Sequence, residues 1–508
     1  MDNPPKIPCP IEGAEISELD DFLLQKILSK LPAKNFASAA CVSRDWNDIC
    51  SRILVRPKLL SVFSLNTSLR EAVNEVTEKV LSEPIRPDFA ILSICHKFDL
   101  DDAHKLITEK LGTKIPIVTC DVNGIIGRDA ETDCLKEVMF PNFDDDADHD
   151  DHCPLHNGGI SLTIGYLPSL KVGIISLPKA KQGGSIDKFV MDLRRFSASV
   201  SGLTSPEAII MFGDSQAHMK PVLEKLDYAL SKKTVIAGNE ICSFRHSSID
   251  TEIISTHRGQ ESSYDAVALV FAMERTTFGV QGKIEFHYAV GAGVTAVGPT
   301  YQVVSAKRST PDFTTWLTAK REGENEILDG EGLLNAYEME MGNLFPDFDL
   351  HIGIRKRRKY SIGSEQARYV KTVAYHPVQE GDDHYLYVGG LDIKTGDKFR
   401  YYIPDKEYAL DSCATVSENF GKLKDKDIIG GLVFSCCGRG DFFFEKPNVD
   451  SSPILDNFPN IPLAGIFCGT EIGRGFPNLG QEEASESLLH AYSSIYLLLS
   501  YIPPTPRP

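Results

Sequence analysis

Apolar residues near the start of the chain recur at helical spacing. In ISELDDFLLQKILSKLPAKNFASAACVSRDWNDIC (16–50), Leu19, Leu23, Ile27 and Leu31 form one stripe, with Leu24 and Leu28 beside it. Pro32 stops this helix. Asn35 is placed to cap a second, carrying Phe36, Ala39, Ala40 and Val42, and a third short helix holds Trp46 and Ile49. Three short helices with more apolar surface than they can bury among themselves predict a partner for the surplus. The alternative is a self-contained bundle packed on the domain that follows.

Beyond this unit the periodicity changes. Ser68 and Glu71 have capping-box spacing ahead of a helix with Leu69, Val73, Val76 and Val80 on one face. Strand-like runs then alternate with helices: strands at 88–95, 115–120, 160–166, 172–177, 208–212 and 234–237, and helices at 100–111, 185–200 and 216–231. That order predicts an α/β or α+β region with a sheet covered by helices. From Tyr264 the chain is richer in strands and glycine, as in 265–274, 284–291 and 385–393, and the polar stretch 245–263 suggests a boundary. No fixed-period repeat is found, which excludes a solenoid or propeller. Residues 1–13, with four prolines, and 501–508 are expected to be disordered.

A length of 508 residues suggests two to four domains. The formal charge of −18 argues against sequence-independent nucleic-acid binding and against anionic membrane surfaces. Twelve scattered cysteines without CxxC pairs fit a reducing compartment. With no signal pattern and no long apolar run, a cytoplasmic or nuclear location is expected. The run Arg355–Lys359 (RKRRK) reads equally as a nuclear import signal and as an exposed strand end or turn.

Catalytic grammar is missing: there is no P-loop, HExxH or GxSxG. Gly291, Gly293 and Gly298 in VGAGVTAVG do not have dinucleotide-fingerprint spacing and read as a strand and turn. His149, His152, Cys153 and His156, with Cys134 upstream, sit by six aspartates within 144–151. A polar loop is the favoured reading over a metal site, so neither metal nor cofactor is expected. FSCCGRGDFFFEK (434–446) and IPLAGIFCGTEIG (461–473) each run from an apolar strand through Cys and Gly to a charged residue. That order sets Arg439 and Glu471 at strand ends, where ligands are often held; the bland reading is two buried strands ending in turns.

Residues 16–50 resemble the F-box family, through LDDFLLQKILSKLPAKNF and VSRDW. The resemblance implies docking onto a Skp-family adaptor, and through it onto the cullin and RING subunits of an SCF ubiquitin ligase. Leu19, Leu24, Ile27, Leu28, Leu31, Pro32, Phe36, Val42 and Trp46 then occupy interface or supporting positions. Asp20 departs from the family's usual proline, which weakens the start of the first helix. The later segments resemble the FIST (F-box and intracellular signal transduction) family, through Cys436, Gly438 and Arg439, then Pro462, Gly465, Gly469, Glu471 and Ile472, with TCDVNGIIG (119–127) a looser match. Thr470 intervenes between Gly469 and Glu471 where the family has Gly-Glu directly.

The combination is similar to the eukaryotic F-box–FIST proteins. It implies a small all-α F-box (14–60) followed by a large two-part α/β region, divided at 61–250 and 251–500. The implied role is a non-catalytic receptor that presents a protein substrate for ubiquitination and proteasomal degradation. The alternative is a sensor of a small ligand, such as an amino acid, at Cys436, Gly438, Arg439, Gly440 and Glu471. There Cys436 is a thiol of interest if its pKa is lowered, and Arg439 either grips a ligand carboxylate or pairs with an acidic side chain.

Overall fold

The computed structural model describes residues 20–140, 158–182, 184–214, 217–247, 264–275, 282–310, 312–341, 350–360, 368–475 and 487–504. The chain divides into two units: residues up to Arg56 with Leu81–Arg86, and Pro57–Val80 with Pro87 onward.

The first unit has helices Asp21–Leu28, Ala33–Ala40 and Arg44–Ile53. Asp20 does not weaken the first helix: its carboxylate caps the helix by accepting from the Leu23 N–H at 2.7 Å. Asn35 caps nothing, because Pro32 already sets the backbone and the second helix begins at Ala33. Ser43 caps the third by accepting from the Trp46 N–H at 3.1 Å. Leu24, Leu28, Phe36, Ala39, Ile49 and Cys50 form the core. The Ala33 N–H donates to the Leu81 carbonyl at 2.9 Å, tying in the later segment.

In the second unit the described strands form three open sheets and a closed barrel. The first sheet runs Lys58–Ser64, Ile160–Tyr166, Phe89–Cys95, Ile117–Val122, Phe244–Ser247. The second runs Ser487–His490, Glu471–Gly475, Val235–Cys242, Ala208–Asp214, Tyr264–Met273, Leu170–Pro178. The third runs Lys283–Gly291, Ser494–Ile502, Asp427–Cys436, Leu463–Cys468, Gly124–Arg128, Leu135–Met139. Each sheet contains one parallel pair (89–95 with 117–122, 208–214 with 235–242, 427–436 with 463–468) among antiparallel neighbours. A parallel pair needs a crossover. Leu100–Leu111 makes the first, Lys220–Ala229 the second, and the short helices Asp441–Phe444 and Ser452–Leu455 the third.

This architecture corrects the expected division at 250/251. Strands 124–128 and 135–139 complete the third sheet beside 463–468, and strands 471–475 and 487–490 complete the second beside 235–242. The polar composition near 245 marks the end of an edge strand, not the end of a domain. At the other end, Tyr501 and Ile502 belong to strand Ser494–Ile502, an inner strand of its sheet, so the expected disordered tail does not begin at 501.

One core joins the three sheets, with Phe63 and Phe89 from the first, Phe212 and Phe271 from the second, and Phe434 and Leu497 from the third. A cavity of about 20 Å³ lies within it, lined by Ser93, Ser161, Thr163, Phe212, Leu432 and Ile466 among others; that is room for roughly one water.

The barrel consists of Val294–Ser309, Thr314–Arg321, Leu386–Gly389, Arg368–Gly381, His351–Tyr360 and Lys398–Pro404. Its interior is filled by Tyr301, Leu317, Ile352, Ile354, Phe399 and Tyr401. The Arg355–Lys359 run lies inside one strand and is paired with 369–373. Lys356 is buried and ion-paired to Asp392 at 2.8 Å. A free extended import peptide is therefore not what this segment presents.

Candidate functional site

The nine residues carried over from the F-box resemblance divide by burial. Leu24, Leu28 and Phe36 are core. Leu31 and Trp46 pack partly against that core. Ile27 and Val42 are 49% and 64% exposed, and Pro32 is exposed. Leu19 lies outside the described residues. Phe22 and Leu23, absent from the carried-over set, are 68% and 46% exposed. Phe22, Leu23 and Ile27 sit on one eight-residue helix. Four large apolar side chains left in water on so small a unit form a surface suited to a protein partner. The apolar spacing carries this signal, but spacing does not say which residues face inward.

The second candidate site lies where the strands change sheets. Strands 427–436 and 463–468 end side by side, with Cys436 and Cys468 in register. The chain then turns through Gly469 and Thr470 out of the third sheet into the second, which it joins at Glu471. The 119–127 segment makes a similar passage, from the first sheet to the third, across Asn123. Its Asn123 N–H donates to the Phe467 carbonyl at 3.0 Å. The FIST-like segments thus mark passages between sheets.

Arg439 resolves the choice left open by the sequence. It is 2% exposed, and its Nε donates to Asp450 Oδ1 at 2.8 Å. Its Nη1 donates to the Tyr492 carbonyl at 2.9 Å, and its Nη2 lies 3.4 Å from Cys413 Sγ. The guanidinium sits 4.9 Å from the Phe444 ring centroid. Ser494 Oγ donates to the same Asp450 oxygen at 2.7 Å and is 2.7 Å from Ser435 Oγ. Arg439 is therefore a cross-link inside the fold, already paired with an acidic side chain.

Gly438 and Gly440 let the turn pass: a Cβ at Gly438 would meet the Tyr492 ring at 2.6 Å, and Gly440 has φ +88°. Gly293, in the VGAGVTAVG turn, admits the same neighbours, since a Cβ there would lie 1.8 Å from the Tyr492 carbonyl oxygen.

Cys436 is not an activated thiol. The neighbouring Cys437 side chain and burial both push it well above the ordinary range. Burial likewise raises Cys468. Glu471 is fully buried, and burial, reinforced by Cys436, pushes its carboxyl well above the ordinary carboxylate range. Ser493 donates to Glu471 Oε2 through Oγ at 2.7 Å and N–H at 3.2 Å. The structure thus gathers Cys436, Gly438, Arg439, Gly440 and Glu471 with Asp450, Tyr492 and Ser493, but inside the protein. Those last three lie too far along the chain for motif spacing to have found them. Among the described residues no group of His, Cys, Asp and Glu has the geometry of a metal site. The His149–His156 segment lies outside them.

Comparison with known proteins agrees with this division. The F-box domain family matches residues 16–57, and the FIST C domain family matches residues 333–474. The F-box/LRR-repeat protein At5g63520 of Arabidopsis thaliana is 41% identical over 503 residues, covering 96% of this chain and 94% of its own length. The chain belongs to the F-box–FIST family. A 45-residue match at 49% identity to an uncharacterised protein of Mycobacterium tuberculosis covers only 9% of this chain and 12% of that one. In this F-box–FIST chain the FIST C match takes in most of the barrel, both Cys-ending strands, Arg439, Glu471 and Asp450. F-box domains typically bind Skp-type adaptors, and F-box proteins are in general non-catalytic receptors.

Proposed function

We propose that the chain is the substrate receptor of an SCF-type ubiquitin ligase. Its helical unit docks a Skp-family adaptor, which links it to cullin and RING subunits. The FIST region holds a protein substrate for ubiquitination, with degradation by the proteasome as the expected outcome. The observation that carries this reading is the exposed apolar set Phe22, Leu23, Ile27 and Val42, within the stretch that matches the F-box. The chain's own contribution is proximity, which raises the effective concentration of substrate lysines at the transferring subunit. A cytoplasmic or nuclear location belongs to the same reading. Co-purification with a Skp-family adaptor tests it: binding by the native chain, lost in an Ile27→Asp, Val42→Asp double variant that still folds, is the expected result. No binding by the native chain would overturn it.

The ligand-sensing alternative draws support from one observation. Glu471 Oε1 is buried without a hydrogen-bond partner, the kind of group a small donor could satisfy. Arg439 gives that alternative no help, being committed to Asp450. A rise in melting temperature with a panel of amino acids, abolished by Glu471→Gln, would favour sensing.

A further inference from the structure

Glu137 is absent from both candidate sites, yet its side chain reaches one of them. It stands on strand Leu135–Met139, at the edge of the third sheet, opposite Ile126. Its Oε1 accepts from the Ser451 N–H at 2.6 Å, in the crossover between strands 427–436 and 463–468. That contact sets it beside Asp450, whose Oδ1 is held by Arg439 and Ser494. Among the described residues neither Glu137 Oε2 nor Asp450 Oδ2 has a hydrogen-bond partner, and both oxygens are buried. Two carboxyl groups thus meet with one free oxygen each. Arg439 is ion-paired to Asp450. Lys136, next to Glu137 in sequence, pairs with Asp129 instead. The other groups facing Asp450 are Cys413 and Tyr496, which burial keeps neutral. Glu137 also faces Asp441, a third acid, from helix Asp441–Phe444. One positive charge therefore serves two buried carboxyl groups.

With both groups ionised, one buried charge would have no counter-ion, and a buried carboxyl in that position keeps its proton instead. We propose that Glu137 and Asp450 form a pH-sensitive latch: they hold one proton between them while Asp450 stays paired with Arg439, and losing that proton loosens hairpin 124–139 from the crossover. A neutral carboxyl is a donor as well as an acceptor, so a single hydrogen can serve both free oxygens. Burial, then Asp450, with a smaller push from Asp441, raises the Glu137 carboxyl to about 8, against the Ser451 contacts that favour its ionised form. The group is then roughly nine-tenths protonated at pH 7. Its folded value lies above the ordinary value of 4.5, so the folded chain binds the extra proton. The stability this contributes is complete below about 4.5 and is lost as pH rises through about 8. The latch therefore opens on the alkaline side of neutrality.

The test compares the full chain with its Glu137→Gln variant, in which an amide keeps the side chain neutral at every pH. Melting temperatures are followed from about pH 6 to about pH 9. The native chain is expected to melt lower as pH rises. The variant should fall less steeply and melt higher than the native chain at about pH 9, because titrations elsewhere are common to both. Asp441→Asn leaves the pair intact but removes the neighbouring acid; it should make the fall shallower and end it at lower pH. The infrared C=O stretch of one protonated carboxyl should disappear over the same range in the native chain, and no such loss is expected in Glu137→Gln. A variant that melts lower than native at every pH, or that falls as steeply, would overturn the proposal. So would a rise in the native melting temperature near pH 7 on adding calcium or magnesium, absent in Glu137→Gln, since a cation would then stand where the proton is placed.

Discussion

Replacing Ile27 by aspartate separates docking from folding. Burying a whole isoleucine side chain contributes about 1.5–3 kcal/mol. Ile27 has 49% of its surface exposed, so the exposed part offers about 1 kcal/mol on docking. A carboxylate there forgoes that and must also shed water without a partner, adding ~1–3 kcal/mol. The sum is about 2–4 kcal/mol, or roughly 30- to 1,000-fold in affinity. The helix itself loses only about half a kcal/mol, because the site faces solvent. Leu28→Asp, one position on, is a poor control. Leu28 is 1% exposed, and emptying a leucine site costs about 2–5 kcal/mol before any buried charge is counted. That equals what the core of so small a unit supplies, about 3–5 kcal/mol, so adaptor binding would be lost through unfolding. Titration of a Skp-family adaptor into Ile27→Asp and Val42→Asp, with helix content followed by circular dichroism, distinguishes the cases. Affinities within about threefold of native in both folded variants would refute the reasoning.

Four further outcomes follow. Asp450→Asn leaves Arg439 buried without its counter-charge and is expected to lower stability by about 3–5 kcal/mol in chemical denaturation. Asp20→Ala removes the first helix's cap and should cost the helical unit about 1 kcal/mol, seen as an earlier melt of that unit. His104 and His246 are both lowered to about 4, chiefly by burial. Each folded-state pKa lies below its unfolded value near 6.5, so the unfolded chain binds the extra protons. The stability they contribute is present above that value and lost as pH falls toward 4; melting temperatures should drop over this window, and less steeply in His246→Phe. Gly293→Ala drives a methyl group into the Tyr492 carbonyl and toward Arg439; reduced yield and a lower melting temperature are expected, with the helical unit unaffected.

Much of the local structure was legible. The apolar runs at 160–166 and 100–111 have the predicted bounds, because a buried strand and an amphipathic helix each write their period into a few adjacent residues. The F-box stripe was legible as a stripe, but whether a given leucine faces core or solvent depends on how three helices cross. Long-range closure was not legible. Nothing near Arg439 announces Asp450 as its partner over a ligand, and nothing in residues 124–139 says that they pair with strand 463–468, since such pairings follow from topology rather than period. Asp20 shows a family departure read as a defect that serves as a cap.

The shared sheets also impose an order on synthesis. Ile126 pairs with Gly465, roughly 340 residues later in the chain. At ~5–20 residues per second a ribosome takes about 20–70 s to bridge that interval. Throughout it, hairpin 124–139 has no neighbour on its inner edge and is open to wrong partners. A transcript truncated anywhere before residue 463 would leave that edge open for good, and its product would be a client for chaperones and proteases, not a smaller receptor.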